Sequence, residues 1–524
     1  MSVAAVLAAG AAAGGAYYVL HTRGTPAATA QRFAAAWQAG DTAAMARELA
    51  TAQRLDVYGQ QRGALGVERT SVRLGPVAQG DDQASVPYTV TLALKNVGEW
   101  TYDGKIDLVV ADRAWKVAWS PATLHPQLTA GQTFSLRTRW PERAAITDAD
   151  GGRIDDGSGG GSVQQLVGYL DKAKKKDVAK LGSAYQVGQA IGRDGLQEAF
   201  QRRLAGTPST DIQLGGRTLK TIKGSAGEPV ETSLDRDAQA AAVTAVKDLD
   251  KPTSMVAIRP STGEILAVVN NRGGFNRALD GRYPPGSTFK AVTAIGLLAA
   301  GMSPQDRVTC PEYATVGGLK IRNSDNEAFG SLSFLDSFAH SCNTTFAPLA
   351  QSKLGADKLV KAAESVGFNQ PLNIGVPATP ASLPRPQSDA ELAAESFGQA
   401  RITASPLSIA SVAAAIADGT WRPPTLVPSL KQKAAERELP DGVKDQLHAM
   451  MAAVVTKGTA KSAGLPAGTH GKTGTAEFAN GDKLDTHAWF MGFKGDVAFA
   501  VVVEGGGGGG AVAAPVAATF LKNL

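Results

Sequence analysis

The chain has 524 residues, of which 43% are hydrophobic and 19% charged, and its formal net charge is +5. This length exceeds what one hydrophobic core supports and predicts two to four domains of ordinary globular composition. The small net charge, without a stripe of Lys and Arg interleaved with aromatic residues, excludes a nucleic-acid partner.

The first predicted element is an uncharged segment from Ser2 to Leu20. As a helix it would be roughly 28 Å long, about the thickness of a bilayer core. The sequence AATA at 27–30 offers a cleavage site, so a cleaved signal peptide is the alternative. We expect residues 1–23 to be a single membrane anchor or a signal segment, with the anchor favoured. Either places the bulk of the chain outside the cytoplasm.

A helical pair and an antiparallel sheet are predicted for residues 24–125. Apolar residues recur at helical spacing from Phe33 to Leu49, and four segments with strand-like alternation follow up to residue 120. We therefore expect an α+β domain here, in which a curled sheet follows the helices. Residues 126–228 are less regular and contain the glycine-serine run DGSGGGS at 156–162, which is typical of a linker.

Residues 229–524 form a third predicted block. It begins with a helix, continues into the strand pair SMVAIRPSTGEILAVVN at 254–270, and ends with strands and a helix. Because helices are inserted between the second and third strands of one sheet, we expect an α/β or α+β domain here. The glycine run at 505–510 is expected to form a turn at the solvent edge.

The stretch HGKTGTAEF, which begins at His470, resembles the end of a phosphate-binding loop. That loop needs a glycine five residues before Gly471, where its backbone N–H groups surround the anion. Pro466 occupies this position and has no N–H. The sequence therefore excludes a nucleotide site, and Lys472 needs another role.

A second stretch, YPPGSTFKAVTAIGLLAAG, offers that role. Ser287 stands at a predicted helix start, where serine is also a common N-cap, and Lys290 follows one turn later on the same face. A lysine in the first turn opposes the helix dipole, so local helix stability does not explain it. A buried lysine whose pKa is lowered by desolvation and by a second cation can deprotonate a serine hydroxyl. Lys472 is the candidate for that second cation.

The sequence HSCNTTF supplies a third element, with Ser341 and Asn343 two residues apart. A hydroxyl and an amide at this spacing can both face a cleft, where Ser341 could pass a proton and Asn343 could hold Lys290. The S-x-N pattern alone is common by chance. Its value lies in the order of all three elements.

The chain contains two cysteines, Cys310 and Cys342, and six histidines that show no metal-binding spacing. Pairing of the cysteines in an oxidising compartment and two separate buried thiols are both compatible with the sequence. We expect no metal and no cofactor.

S-x-x-K, S-x-N and K-T-G in this order resemble the penicillin-recognising serine acyl transferases. The stretches YPPGSTFK, SCNTTF, GKTGTAE and HAWFMGF resemble a class B penicillin-binding protein, a monofunctional D,D-transpeptidase, over 229–524. Residues 24–125 resemble the nuclear-transport-factor-2-like domain of the methicillin-resistance type. The resemblance implies a multidomain α+β protein with an anchor (1–23), a cone-shaped α+β N-terminal domain (24–125), an irregular dimerisation or linker region (126–228) and a transpeptidase domain (229–524). The transpeptidase domain is expected to be an antiparallel sheet flanked by helices, with an all-helical part.

The resemblance also implies roles for individual residues. The backbone N–H groups of Ser287 and Thr475 would form the oxyanion hole. Glu477, two residues after Thr475, is expected to be a charged residue on the surface. The implied site comprises Ser287 as nucleophile, Lys290 as its general base, Ser341 as proton relay, Asn343 as the residue that positions Lys290 and the substrate amide, Lys472 as the source of positive potential, and Thr473, Gly474 and Thr475 as the wall that holds substrate.

The implied reaction cross-links peptidoglycan stem peptides through an acyl-serine intermediate, with β-lactams as covalent inhibitors. Hydrolysis by a D,D-carboxypeptidase or a β-lactamase is an alternative within the superfamily. No sequence pattern identifies a dedicated carboxylate for deacylation, which disfavours it. A β-lactam-binding sensor is an alternative of another class, disfavoured because only Met1 precedes the predicted span. The implied partners are the cytoplasmic membrane, through the anchor, and proteins of cell division or elongation.

Overall fold

The computed structural model describes residues 22–157, 160–182, 184–480 and 483–524. The chain divides into two compact units, and each is treated separately below. The region 126–228 contributes to both of them. The first unit comprises the described part of Met1–Arg143 with Lys172–Gln189 and Ala205–Gly227, and the second comprises Ala144–Asp171, Ala190–Leu204 and Glu228–Leu524.

The predicted membrane anchor or signal segment falls almost wholly on residues 1–21, which lie outside the described residues. Along the part of the chain that is described, no helix combines the length and the apolar character needed to cross a bilayer.

The first unit has the predicted α+β organisation. Its first helix is capped by the Thr25 hydroxyl and ends at Gly40, which adopts a left-handed conformation. The helix buries Phe33 and Trp37 against a sheet of five strands. The elements up to residue 139 are α1 Pro26–Ala39, α2 Thr42–Arg47, α3 Asp56–Leu65, β1 Val67–Leu74, β2 Ala78–Gln79, β3 Gln83–Leu94, β4 Gly98–Ala111, β5 Ala114–Val117 and β6 Phe134–Arg139.

Helix α3 is absent from the sequence-based prediction. Its sequence, DVYGQQRGAL, contains two glycines, which lower helix propensity by about 1 kcal/mol each relative to alanine. The helix forms because Tyr58 and Leu65 are buried in the core of the unit. Tertiary packing therefore outweighs the local preference.

Residues 144–227 consist of short elements that belong to one unit or the other. The strands near residues 209 and 217 pair with each other, and the first of them also pairs with β6. The bounds are β7 Ile146–Thr147, α4 Gly160–Val167, β8 Tyr169–Lys172, α5 Lys175–Leu181, β9 Ala190–Arg193, α6 Gly195–Ala199, α7 Gln201–Ala205, β10 Ser209–Leu214 and β11 Arg217–Ile222.

The second unit is built on a five-stranded antiparallel sheet, as predicted. The predicted strand pair forms its first two strands, joined by the Ser-Thr-Gly turn. The strands of the unit after residue 228 are β12 Val230–Glu231, β13 Thr253–Ile258, β14 Ile265–Asn270, β15 Arg307–Cys310, β16 Tyr313–Val316, β17 Leu319–Arg322, β18 Gly330–Ser333, β19 Thr420–Trp421, β20 Arg437–Glu438, β21 His470–Asn480, β22 Lys483–Lys494 and β23 Val497–Val503.

The strand order in this sheet is β14-β13-β23-β22-β21. All six residues of β13 are buried, as expected for a central strand covered on both faces. Strand β21, which carries the K-T-G motif, pairs only with β22 among the described residues and therefore lies at the edge of the sheet. An edge strand has free backbone groups to which an extended peptide can bind.

Helices surround this sheet and complete the core. One of them, starting at Lys290, carries the S-x-x-K lysine. The helices of the unit after residue 228 are α8 Arg236–Val246, α9 Arg277–Asp280, α10 Lys290–Ala299, α11 Phe334–Ala339, α12 Asn343–Leu349, α13 Gly355–Glu364, α14 Asp389–Glu395, α15 Pro406–Asp418, α16 Val443–Thr456 and α17 Ala513–Asn523.

The prediction that the glycine run at 505–510 lies at the solvent edge is wrong for part of the run. Gly509 is buried against the K-T-G strand. A Cβ atom there would lie 2.3 Å from the carbonyl oxygens of both Gly474 and Trp489. The run is glycine-rich at this point because the chain passes directly over β21 and β22, with no room for a side chain.

Candidate active site

Ser287 lies in a 3₁₀ turn, Gly286–Phe289, that leads directly into helix α10. The sequence places Ser287 at a helix start, and this location is correct. Its hydroxyl, however, does not cap the helix. Gly286 has a φ of +54°, a conformation that glycine adopts without strain.

The nucleophile turn is held by two close backbone approaches. A Cβ atom on Gly286 would lie 2.7 Å from the carbonyl oxygen of Thr475, and one on Gly398 would lie 2.0 Å from the carbonyl oxygen of Gly286. Gly286 N–H donates to Gly398 O at 2.9 Å. The absence of two side chains therefore lets the turn sit between strand β21 and the segment that follows helix α14.

Lys290 is fully buried and its Nζ contacts four oxygen atoms. Nζ lies 2.5 Å from the carbonyl oxygen of Ser341 and 2.6 Å from the side-chain oxygen of Asn343. It also lies 2.9 Å from Ser287 Oγ and 3.1 Å from Ser341 Oγ. The orientation of the Asn343 amide is set by its NH₂ group, which donates to the carbonyl oxygen of Arg322 at 2.8 Å.

These contacts fit a neutral amine. A neutral lysine has two N–H bonds and one lone pair. The two shortest contacts of Lys290 are to carbonyl oxygens, on Ser341 and Asn343, which can only accept. With the two N–H bonds directed there, the lone pair faces the two hydroxyl oxygens, Ser287 Oγ at 2.9 Å and Ser341 Oγ at 3.1 Å, and can accept a proton from either of them. This is the arrangement that a general base requires.

Lys472 lies next to this cluster, also fully buried. Its Nζ is 2.9 Å from Ser341 Oγ and 3.1 Å from the carbonyl oxygen of Thr473. Ser341 Oγ therefore stands between the two amines. A hydroxyl both donates and accepts, so it can carry a proton from one lysine to the other.

Burial sets the protonation of both lysines. It lowers the pKa of Lys290 well below the ordinary lysine value, and the charge of Lys472 lowers it further. Burial also lowers the pKa of Lys472 to about 7. Because the shift at Lys290 has this additional cause, we assign the neutral form to Lys290 and the ammonium form to Lys472 at neutral pH.

A disulfide bond holds the S-x-N motif in place, which settles the question that the sequence left open. Cys342, the middle residue of the motif, is bonded to Cys310 at the end of strand β15, and both are fully buried. Ser341 has a φ of +62°, which is uncommon for a residue with a side chain. The link fixes Cys342 between the two active-site residues Ser341 and Asn343.

The K-T-G strand forms the wall of the cleft opposite Ser341 and Asn343. Thr473 Oγ1 and Thr459 Oγ1 lie 2.6 Å apart, and Thr475 Oγ1 accepts from Gly509 N–H at 3.3 Å. The space beside Gly474 is filled, since a Cβ atom there would lie 2.9 Å from Thr288 Cγ2 and 3.0 Å from Pro285 O. The missing side chain thus serves the packing of the nucleophile turn, and the role of Gly474 in the wall that holds substrate stays a prediction.

The structure brings all eight residues named from the sequence to one place. Ser287, Lys290, Ser341 and Lys472 form a continuous hydrogen-bonded chain, and Asn343 joins it at Lys290. Sequence reasoning missed the supporting roles of Thr459, Gly398 and Gly509, because no local pattern marks residues that contact the site from distant segments. A serine hydroxyl within hydrogen-bond distance of a buried lysine is the arrangement used by enzymes that form an acyl-serine intermediate.

Comparison with known families agrees with this class. Residues 253–522 match the family model described as the penicillin-binding protein transpeptidase domain, and residues 25–132 match that of the NTF2-like N-terminal transpeptidase domain. The chain belongs to the penicillin-binding protein transpeptidase family, with an NTF2-like domain in front. It is a peptidoglycan D,D-transpeptidase. The prediction of a class B protein of this type is confirmed.

Two relatives of known name illustrate the similarity. The peptidoglycan D,D-transpeptidase PbpA of Mycolicibacterium smegmatis is 32% identical over 375 residues, which cover 59% of this chain and 74% of the relative. The PbpA of Mycobacterium tuberculosis is 31% identical over 308 residues, which cover 48% of this chain and 61% of the relative.

Solved structures show the same fold. The structure of Pseudomonas aeruginosa PBP2 in complex with WCK 5153 has a TM-score of 0.65 at 26% identity, and covers 74% of this chain and 96% of its own. The structure of M. tuberculosis penicillin-binding protein A as a ceftriaxone acyl-enzyme has a TM-score of 0.57 at 23% identity, and covers 73% and 98%.

Proposed function

We propose that Ser287 takes an acyl group from a stem peptide ending in D-alanyl-D-alanine and passes it to an amine of a neighbouring stem. One observation carries this proposal: Lys290 Nζ lies 2.9 Å from Ser287 Oγ while carbonyl oxygens of Ser341 and Asn343 occupy its N–H bonds. The lone pair then points to the serine proton. The hydroxyl oxygen becomes nucleophilic as its proton moves to Lys290, and it attacks the substrate carbonyl.

The first transfer forms a bond between Ser287 Oγ and the carbonyl carbon of the penultimate D-alanine. The serine proton moves to Lys290 Nζ. When the bond to the terminal D-alanine breaks, its nitrogen takes a proton from Ser341 Oγ, which is resupplied by a lysine ammonium. In the second transfer the acceptor amine attacks the ester carbonyl, its proton goes to Lys290, and Ser287 regains its hydroxyl proton.

Electrostatic contacts assist both transfers. The backbone N–H groups of Ser287 and Thr475 bind the oxyanion, and one such donor is typically worth about 3–4 kcal/mol. The close approach of Gly286 to Thr475 supports this pairing of donors. The terminal carboxylate binds the hydroxyls of Thr473 and Thr475 in the positive potential of Lys472. Asn343 positions Lys290 and the substrate amide.

The proposed setting is the outer face of the cytoplasmic membrane, with residues 1–23 as the anchor. β-Lactams resemble the donor and acylate Ser287 without ready release. Proteins of cell elongation or division are the proposed partners. Transfer to an amine is preferred over the hydrolase and sensor alternatives because the named relatives at 31–32% identity are D,D-transpeptidases.

Covalent labelling with a fluorescent penicillin tests the assignment of the nucleophile. The unsubstituted protein should retain the label after denaturation, and Ser287→Ala should not. Ser352→Ala, which removes an exposed hydroxyl on the same unit, is the matched control and should label normally. Label retained by Ser287→Ala would refute the assignment.

A second assay separates transfer from hydrolysis. A thioester analogue of the donor stem is supplied with a stem peptide that carries a free amine, and the products are resolved by mass. A transpeptidase yields the amide-linked dimer in proportion to the amine. Exclusive release of the hydrolysed donor at all amine concentrations would favour the hydrolase alternative.

A further inference from the structure

Glu504 carries a carboxylate that takes no part in the proposed proton transfers. The residue directly follows β23 and precedes the glycine run at 505–510. Its Oε1 accepts hydrogen bonds from the Tyr283 hydroxyl at 2.6 Å and from Arg277 Nε at 3.0 Å. The side chain of Glu504 is 26% exposed, and Tyr283 is buried. A hydrogen bond from a hydroxyl to a carboxylate at this distance is strong, so it ties two separate segments of the chain together.

On one side of this bond, the chain from Tyr283 to the nucleophile turn is short and stiff. Pro284 and Pro285 follow Tyr283, and their rings fix the backbone φ angles. The carbonyl oxygen of Pro284 accepts from the indole N–H of Trp489 at 3.1 Å. That of Pro285 accepts from the Thr288 hydroxyl at 2.7 Å. A displacement of Tyr283 is therefore transmitted to the nucleophile turn.

On the other side of the bond, the glycine run reaches the K-T-G strand. Gly509 N–H donates to Thr475 Oγ1 at 3.3 Å. A Cβ atom on Gly509 would lie 2.3 Å from the carbonyl oxygen of Gly474. That carbonyl belongs to the same planar peptide group as the N–H of Thr475. The position of the glycine run therefore constrains the direction in which the Thr475 N–H points.

The other contacts of Tyr283 do not involve its hydroxyl. The ring packs edge-on against two residues of β22, with its centroid 5.1 Å from that of His487 and 6.0 Å from that of Trp489. The backbone of Tyr283 exchanges hydrogen bonds of 3.1 and 2.9 Å with that of Ala404. Removal of the hydroxyl alone therefore breaks the link to Glu504 and leaves the ring and the main chain supported.

We propose that Glu504 is a positioning residue for the oxyanion hole, and that it acts by joining Tyr283 to the start of the glycine run. The first segment carries the N–H of Ser287, and the second holds the peptide group that contains the N–H of Thr475. The link keeps these two donors at the spacing that one oxyanion requires. This inference rests on the proposed function, because it needs these two N–H groups to bind the oxyanion.

Tyr283→Phe tests the proposal, because it removes the hydroxyl and keeps the ring. Acylation of the full chain by a chromogenic β-lactam is followed by stopped flow, which separates the dissociation constant of the first complex from the rate constant of acylation. We expect the rate constant to fall about 10-fold to 100-fold and the dissociation constant to stay unchanged, because a misplaced donor weakens binding of the transition state.

Ser411→Ala is the control for a general loss of stability in the same unit. It removes a buried hydroxyl that accepts from the Trp421 indole at 2.7 Å. The rate constant of acylation should equal that of the unsubstituted protein. A fall in Ser411→Ala as large as that in Tyr283→Phe would overturn the proposal.

Variants of Glu504 test whether the two residues act through one hydrogen bond. Glu504→Gln keeps an oxygen that accepts from the Tyr283 hydroxyl, so it should lose less of the acylation rate than Glu504→Leu. The double variant Glu504→Leu/Tyr283→Phe should react at the same rate as Glu504→Leu, because the bond is already absent there. Losses that multiply in the double variant would mean that the residues act separately, which contradicts the proposal.

The infrared carbonyl band of the acyl-enzyme gives a readout that a loss of stability does not move. The acyl ester is formed from a β-lactam with an isotope-labelled carbonyl, and its band lies at lower frequency when both donors bind the oxygen. We expect a shift to higher frequency in Tyr283→Phe. An unchanged band or an unchanged rate constant in this variant would overturn the proposal.

Failure of the proposed function has a different signature. The unsubstituted chain would then form no covalent adduct with the β-lactam at Ser287. The two failures are therefore distinguishable.

Discussion

The hydroxyl oxygen of Ser341 lies 2.9 Å from Nζ of Lys472. The same oxygen is 3.1 Å from Nζ of Lys290, so one hydroxyl joins two buried amines. Two ammonium groups at this separation in a desolvated site repel each other, which favours a state with one charge. The site can therefore hold a base and an acid at the same pH, which is what two successive proton transfers require.

Lys290→Met should abolish most acylation, because methionine fills similar space without a lone pair for the serine proton. The second-order rate of penicillin acylation is expected to fall by about 10²–10⁴, the usual contribution of a general base. Lys320→Met, at an exposed position of β17, is the control and should react at the normal rate. A loss of less than threefold at Lys290 would show that another group takes the proton.

The acylation rate should decline as the pH rises above about 7. Lys472 has its pKa lowered to about 7 by burial, so its ammonium is lost above this pH, and with it the attraction for the substrate carboxylate. Lys472→Arg keeps its charge at all accessible pH and should lack this decline, even if its absolute rate is lower. The measurement is kcat/KM against pH, and an identical profile in both proteins would contradict the assignment.

Lys472→Met should change how stability depends on pH. The pKa of Lys472 is about 7 in the folded state and about 10.4 when unfolded, so the unfolded state binds more protons between these values. The unsubstituted protein should therefore gain stability relative to the variant as the pH rises from 7 to 10. The gain in the free energy of unfolding is at most roughly 4–5 kcal/mol. Denaturant unfolding of both proteins at several pH values measures it. A pH-independent difference would mean that Lys472 keeps an ordinary pKa.

Removal of the disulfide should weaken both the fold and the site. The bond closes a loop with a sequence separation of 32, for which the loss of chain entropy corresponds to roughly 3–4 kcal/mol. The double variant Cys310→Ala/Cys342→Ala should unfold at a lower denaturant concentration. It should also be acylated more slowly, because the bond no longer holds Ser341 and Asn343 in position. Acylation at the full rate in a folded double variant would show that the link is purely structural.

Two adjacent glycines should respond differently to alanine. A Cβ atom on Gly509 would lie 2.3 Å from the Gly474 carbonyl oxygen, whereas one on Gly508 would meet nothing within 4 Å. Gly509→Ala should destabilise the unit by about 1–3 kcal/mol and slow acylation, because it displaces the K-T-G strand. Gly508→Ala should stay within about 0.5 kcal/mol. Equal effects at the two positions would contradict the packing described here.

The arrangement of the predicted elements follows from patterns that are local in the chain. The alternation around Val86 to Leu94 and the apolar run of β13 identify strands because side-chain direction repeats every two residues. Helix α3 could not be predicted in this way, because its two glycines disfavour a helix and only the burial of Tyr58 and Leu65 compensates.

The reactive pair Ser287 and Lys290 was determined by the sequence itself, because three residues at a helix start bring two side chains within reach of each other whatever surrounds them. The tertiary structure decided the rest. The pKa of Lys290 is lowered because segments remote in sequence bury its amine, and because the charge of Lys472 opposes its own. Desolvation and repulsion depend on which segments meet in space, and local spacing does not contain that information.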